Sequence, residues 1–183
     1  MTHLLRHMRY AALAAPVALL GSAALAEGDG TELESQAEAT LQECTAVADT
    51  CAEAIETAAG VLVFPEVLEA DLIVGGAGGD GVLFADGEVQ GYYDIGKASV
   101  GLQAGIDQKA MVLVFRDEQS LANLTDGSEW EVGAEAGITV VDASADSLTE
   151  SGEPVVYVFD AEGLSADVDV NGLRIWEDDE NAS

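Results

Sequence analysis

Basic residues are scarce in this chain. Six Lys and Arg stand against 35 Asp and Glu, which gives a formal net charge of −29. Proteins that bind nucleic acid draw much of their binding energy from Lys and Arg that displace counterions from phosphates. We therefore expect no nucleic-acid partner.

Histidine is scarcer still, with two residues in the whole chain. His3 and His7 both lie in a leader with the features of a signal peptide: Arg6 and Arg9, an apolar stretch over 11–20, and the small-x-small site at 24–26. Without that leader the chain has no histidine, so zinc ligation and histidine-assisted nucleophilic catalysis lack their usual residue. We expect neither an enzyme nor a cofactor.

The leader also predicts location and charge. Cleavage after Ala26 would remove two arginines and no acid, which changes the formal charge from −29 to −31. Residue 27 is Glu, whereas a lipoprotein needs Cys there, and no second long apolar run follows. The sequence thus predicts a periplasmic or secreted protein with no lipid anchor and no stable membrane span.

The acidic residues are spread through the whole chain. This pattern is typical of a surface adapted to high salt, where ions screen the repulsion between carboxylates. The alternative is a surface that receives cationic partners or calcium.

Cysteine occurs twice, at Cys44 and Cys51. An uninterrupted helix would hold their Cα atoms about 10 Å apart, whereas a disulfide needs less than about 7 Å. A turn at 48–50 between two helices, predicted over 31–43 and 52–59, would permit the bridge. Two free thiols remain the alternative.

The chain beyond residue 60 is predicted to be mainly β. Continuous apolar runs at 61–64, 111–115 and 155–159 indicate strands buried on both faces. Alternation over 98–106 and 132–140 indicates two further strands, and Asp86-Gly87 indicates a hairpin turn.

These elements predict an α+β fold: a strongly curved, mostly antiparallel sheet or partial barrel, covered by the N-terminal helices and one middle helix over 117–124. The predicted organisation is a signal peptide at 1–26, a flexible leader at 27–30, a single domain at 31–176 and an acidic tail at 177–183.

Three motifs imitate known ligand sites. The pattern G-x-G-x-x-G at 76–81 and the P-loop-like residues 91–97 both lack the helix that must follow them, so we interpret both as strands. A third stretch resembles a calcium loop, with Asp where a bidentate Glu is usual. Its alternative is a pair of strands around an Asn-Gly turn, and its candidate ligands are Asp167, Asp169, Asn171 and Asp178.

Several short segments resemble, in order and spacing, the SYLF domain family. They are Gly60-Val61-Leu62-Val63-Phe64-Pro65, Gly75-Gly76, 79–83, Gly91-Tyr92-Tyr93, 101–105, 130–133, 163–166 and Asn171-Gly172. The family contains eukaryotic lipid-binding and actin-associated proteins and many bacterial envelope proteins. The resemblance implies a non-enzymatic binding domain, although an actin partner is not expected for an exported protein.

The candidate ligand-binding residues are amphipathic rings and one strand face, with core packing as the alternative for the rings. They are Tyr92, Tyr93, Leu102, Gln103 and Trp130. Lipid-binding relatives use basic residues for anionic headgroups, but residues 31–59 contain no Lys or Arg. The favoured ligand is therefore a lipid or another amphiphile without net negative charge. An envelope protein partner with no small ligand is the alternative.

Overall fold

The structure is a computed structural model that describes residues 28–71, 75–99, 105–132, 137–141, 152–160, 163–164 and 170–178. The predicted signal peptide lies outside these residues. Three helices and nine strands are formed in the described part. In chain order they are α1 (Gly28–Val47), α2 (Asp49–Glu56), β1 (Gly60–Asp71), β2 (Gly75–Ala85), β3 (Glu88–Ser99), β4 (Gly105–Phe115), α3 (Glu118–Thr125), β5 (Trp130–Glu131), β6 (Thr139–Val141), β7 (Val155–Asp160), β8 (Gly163–Leu164) and β9 (Arg174–Glu177).

All nine strands form one strongly curled sheet, a half-barrel. The strand order is β5, β9, β3, β2, β1, β4, β7, β6, and β8 pairs with β7. Every pairing is antiparallel except that of β6 with β7. The predicted α+β fold with a curved, mostly antiparallel sheet is confirmed.

The three continuous apolar runs became β1, β4 and β7, which are neighbours at the centre of the sheet. Each is buried on both faces, as predicted, because side chains alternate between two cores. We call the core that contains Leu62 and Phe64 the inner core. The other, the helix-side core, contains Val61 and Val63.

The helices lie on opposite sides of the sheet. Ala37 and Cys44 of α1 and Ala54 of α2 pack in the helix-side core, whereas Leu124 of α3 packs in the inner core. Asp117 caps α3 by accepting a hydrogen bond from the backbone N–H of Ser120 at 2.7 Å. No helix in the described ranges is long and apolar enough to cross a membrane.

The predicted disulfide is confirmed. Cys44 and Cys51 are bonded, with their Cα atoms 6.0 Å apart. The turn is shorter than predicted, because only Ala48 leaves the helical conformation (φ −139°, ψ 112°) before α2 begins at Asp49. The bridge therefore fixes the angle between α1 and α2 beneath the sheet.

The Asp86-Gly87 hairpin is also confirmed. Both residues have positive φ, 54° and 77°, as a type I′ turn requires. The turn joins β2 to β3 and pairs Ala85 with Glu88.

Four boundaries differ from the sequence predictions. Residues 28–30, predicted as a flexible leader, form the first turn of α1, and the acidic tail begins later than Glu177, which is the last residue of β9. The strand predicted over 98–106 is divided between the end of β3 and the start of β4. The strand predicted over 132–140 is divided between the bridge at Val132 and β6. Alternation alone does not show where a chain leaves one strand and joins another.

Candidate functional site

The inner core contains two of the predicted ligand-binding residues. Tyr93 and Trp130 are buried, with relative exposures of 4% and 3%. The Trp130 ring lies 5.7 Å from that of Phe115, at an interplanar angle of 58°. Burial raises the pKa of Tyr93, and the nearby Glu177 carboxylate adds to the shift. Both rings pack among the buried side chains of the inner core.

Tyr92 points the other way, into the helix side of the sheet. Its hydroxyl donates a 2.6 Å hydrogen bond to Glu34 Oε1 of α1, and this bond is the main reason its pKa is raised. The ring therefore ties α1 to β3. The structure does not bring Tyr92 together with Tyr93 and Trp130, and Leu102 and Gln103 lie outside the described residues.

A row of directly paired residues crosses five strands on the helix side of the sheet. Leu68 of β1 pairs with Gly78 of β2, Gly78 with Gly96 of β3, Gly96 with Arg174 of β9, and Arg174 with Glu131 of β5. Directly paired residues share one face of a sheet. Neighbouring strands lie about 4.8 Å apart, so Leu68 and Arg174 stand roughly 14 Å apart, with two glycines between them. We call this row the trough.

The apolar end of the trough is a groove of about 410 Å³ between α1 and the sheet. Leu68 is 45% exposed there, and Leu33 of α1 is half-buried opposite it. The remaining lining residues are Gln36, Glu66, Gly78, Gly79 and Asp80. Part of the apolar surface at this end is thus open to a ligand.

The polar end is a second groove, of about 390 Å³. The Arg174 guanidinium lies between two carboxylates, with Nη1 3.4 Å from Glu129 Oε1 and Nε 3.7 Å from Glu131 Oε2. All three side chains are 40% or more exposed, so these ion pairs contribute little stability. The other lining residues are Gly96, Lys97, Gly172 and Trp176.

The Trp176 ring is held in place at this end. A Cβ atom added to Gly96 would lie 2.8 Å from Cη2 of Trp176, so the ring occupies the space that only glycine leaves open. The indole also hydrogen-bonds to the Asp94 carboxylate. The ring nevertheless keeps 37% of its surface exposed, which makes it an ordered aromatic surface facing solvent.

Asp94 lies in a second paired row, between Asp80 and Trp176. Partial burial raises its pKa, and the negative charge of Asp178 and the hydrogen bond and charge of Asp80 raise it further, while the bond from Trp176 acts in the opposite direction. Two acids therefore border the trough, and protonation of Asp94 is favoured by its surroundings.

The predicted calcium ligands are not brought together where the structure describes them. Asn171 lies in the turn before β9, and Asp178 follows the strand, where its N–H donates to the Tyr92 carbonyl at 2.9 Å. At about 3.3 Å per residue the two stand roughly 15 Å or more apart. Asp167 and Asp169 lie outside the described residues, and within those residues no group of three or more His, Cys, Asp or Glu could hold a metal ion.

The two nucleotide-site imitations are strands, as predicted. Residues 76–81 continue through β2 and residues 91–97 through β3, with no helix after either. Gly78 of the first motif and Gly96 of the second lie in the trough. Sequence reasoning missed Leu68, Arg174 and Trp176, because only the strand pairing places them on one surface.

Comparison with known families places the second half of the chain beside a described family. Residues 96–183 match the family model described as Ysc84, Las17-binding protein actin regulator. The matched segment includes Gly96, Arg174 and Trp176 at the polar end of the trough, whereas Leu33 and Leu68 precede it. A search of curated proteins found no significant match.

Proposed function

We propose a function for this chain from the premise that it belongs to the SYLF family, to which the Ysc84 model matching residues 96–183 corresponds. The chain is a binding domain of that family. Within this frame we propose a non-enzymatic, periplasmic or secreted protein that holds a lipid or another amphiphile along the trough.

The observation that supports this proposal is that the trough is apolar at one end and charged at the other. One end exposes Leu68 and the other exposes the charged Arg174, with Gly78 and Gly96 between them. An added Cβ on Gly78 would meet only the Ile95 carbonyl, at 3.7 Å, so the middle of the trough has an open floor. An end with exposed Leu68 and an end with Arg174, separated by the open floor at Gly78 and by the Trp176 ring over Gly96, suit an amphiphile lying along the sheet.

The burial of Tyr93 and Trp130 in the inner core supports a surface site over one built on these two rings. Ligand pockets that enclose a small molecule usually have volumes of 300–1,000 Å³, and the two grooves reach about 390 and 410 Å³ on the outside of the sheet. The acidic surface favours a headgroup without net negative charge, since each acid near an anionic membrane opposes binding.

Vesicle flotation tests the proposal. Wild-type protein should float with phosphatidylcholine vesicles and avoid phosphatidylglycerol vesicles at low salt. Leu68→Ala should weaken binding to phosphatidylcholine about tenfold, because it removes apolar surface at the tail end. Val89→Ala is the matched control, since Val89 is 37% exposed at the hairpin end of β3 and should change nothing.

Two outcomes would contradict the proposal. Tight low-salt binding to phosphatidylglycerol without divalent cations would refute the electrostatic reasoning. Failure to bind any lipid would favour the second candidate, an envelope interaction protein with no small ligand.

A further inference from the structure

The polar end of the trough combines three chemical groups in a small space. It contains an exposed indole, two cationic side chains and two carboxylates, from Trp176, Arg174, Lys97, Glu129 and Glu131. Arg174 and Trp176 are two residues apart on one face of β9, which places their Cα atoms about 7 Å apart. A ligand at Arg174 therefore also meets Trp176.

A simple anion does not fit this arrangement. Arg174 could receive it, but Glu129 and Glu131 flank the guanidinium at 3.4 and 3.7 Å. The chain as a whole carries a formal charge of −29, so the surrounding field also opposes an anion.

A simple cation fits only in part. The Trp176 face and the two glutamates would attract it, since an aromatic ring binds ammonium groups through its electron-rich face. Arg174, however, places a positive charge in the same groove, and a cation leaves that guanidinium with no new partner.

A group that carries both charges offers a partner to Arg174, to Trp176 and to the two glutamates. Its anionic part would accept hydrogen bonds from the Arg174 guanidinium, which presents a planar fork suited to phosphate and carboxylate. Its ammonium would lie on Trp176 and face Glu129 and Glu131. The existing ion pairs are long and exposed, so exchanging them for ligand contacts costs little.

We propose that the polar end of the trough binds a zwitterionic group: an ammonium, preferably quaternary, joined through a few bonds to a phosphate or carboxylate. Such a group occurs both in the headgroup of a phosphocholine lipid and as a free small molecule. The inference rests on the function proposed above, because it names the headgroup that the trough would hold.

Isothermal titration calorimetry of the mature chain with soluble probes tests the head site without any lipid tail. The probes are phosphocholine, choline chloride and inorganic phosphate. Phosphocholine should bind at least about tenfold more tightly than either half-molecule. Equal binding of choline, tighter binding of phosphate, or no binding of any probe would each overturn the proposal.

Two variants assign the contacts. Arg174→Gln should reduce phosphocholine affinity to the level of choline, and Arg116→Gln, which removes the same charge elsewhere, should not. Trp176→Leu should weaken phosphocholine and choline alike. Both positions are exposed, so folding should survive, and circular dichroism verifies it. Unchanged phosphocholine affinity in both folded variants would overturn the assignment.

Phosphatidylcholine vesicles distinguish the two sources of the group. If free phosphocholine binds and the vesicles do not, the zwitterion site stands while the proposed amphiphile function fails. If the vesicles bind equally well to wild type and Arg174→Gln, the amphiphile function stands while the zwitterion site is refuted.

Discussion

Gly78 of β2 and Gly96 of β3 lie directly opposite each other on the helix side of the sheet, and each lines one of the two surface grooves. Gly78 leaves its side of the pair open, whereas the Trp176 ring lies over Gly96, so the two grooves border the same glycine pair. The pair connects the apolar end at Leu68 with the charged end at Arg174.

Filling this junction should block binding without unfolding the sheet. Gly78→Val introduces a residue that favours strands, and its Cβ would meet only the Ile95 carbonyl at 3.7 Å. We expect binding to phosphatidylcholine vesicles to fall about tenfold, with thermal stability maintained or raised. Gln90→Val, an exposed position of the same sheet, is the control. If folded Gly78→Val binds lipid as well as wild type does, the lipid does not lie along the trough.

Much of the fold could be predicted from the sequence because it depends on local chemistry. Asp86-Gly87 specifies its own turn, and the apolar run 61–64 specifies a strand buried on both faces. The trough could not be predicted in the same way. Gly96 and Arg174 are neighbours only because β9 returns to pair with β3, and no local pattern in either segment encodes that register.

The burial of the candidate aromatic rings could not be predicted from the sequence either. Tyr92 and Tyr93 are consecutive, so alternation places them on opposite faces of β3, and the sequence does not say which face is filled. Tyr93 lies in the inner core and Tyr92 bonds to α1. Trp176, the exposed ring, carries no sequence signal that separates it from the buried Trp130.

Asp94→Asn should stabilise the protein at neutral pH. The pKa of Asp94 is raised in the fold by burial and by the nearby acids. The folded protein therefore gains stability from the protonated carboxyl, and this gain is complete below the unfolded pKa of about 3.9. That contribution is lost as the pH rises through the folded pKa.

The melting temperature at pH 7 should therefore rise in Asp94→Asn, and the difference from wild type should vanish at pH 3. Glu88→Gln removes one charge at the exposed hairpin and should produce a smaller gain. A destabilised Asp94→Asn at pH 7 would mean that the carboxylate is needed to hold Trp176.

Tyr157→Phe should leave stability unchanged or raise it by roughly 1 kcal/mol, since a buried polar group without a partner costs about 1–3 kcal/mol. Burial raises the pKa of this tyrosine and the nearby Thr50 hydroxyl lowers it, but no partner meets hydrogen-bond geometry. Tyr92→Phe should have the opposite effect, because it removes the bond to Glu34. Urea unfolding measures both variants, and a clear loss in Tyr157→Phe would indicate a bond to Thr50.

Stability should increase with salt. Repulsion among the excess acidic residues destabilises the compact folded state. Salt screens this repulsion, because the screening length falls from about 10 Å at 0.1 M to about 3 Å at 1 M. The melting temperature should climb from low to molar NaCl. A flat curve would show that the acids are arranged without net repulsion.

The most direct test of the central claim is an NMR titration of the labelled mature chain with a short-chain phosphocholine lipid below its micelle concentration. We expect chemical-shift changes along the trough, at the amides of Leu68, Gly78, Gly96 and Arg174 and at the Trp176 indole. Free phosphocholine should reproduce only the changes at Arg174 and Trp176. Changes centred on the inner core around Tyr93 and Trp130, or no saturable change at all, would contradict the account.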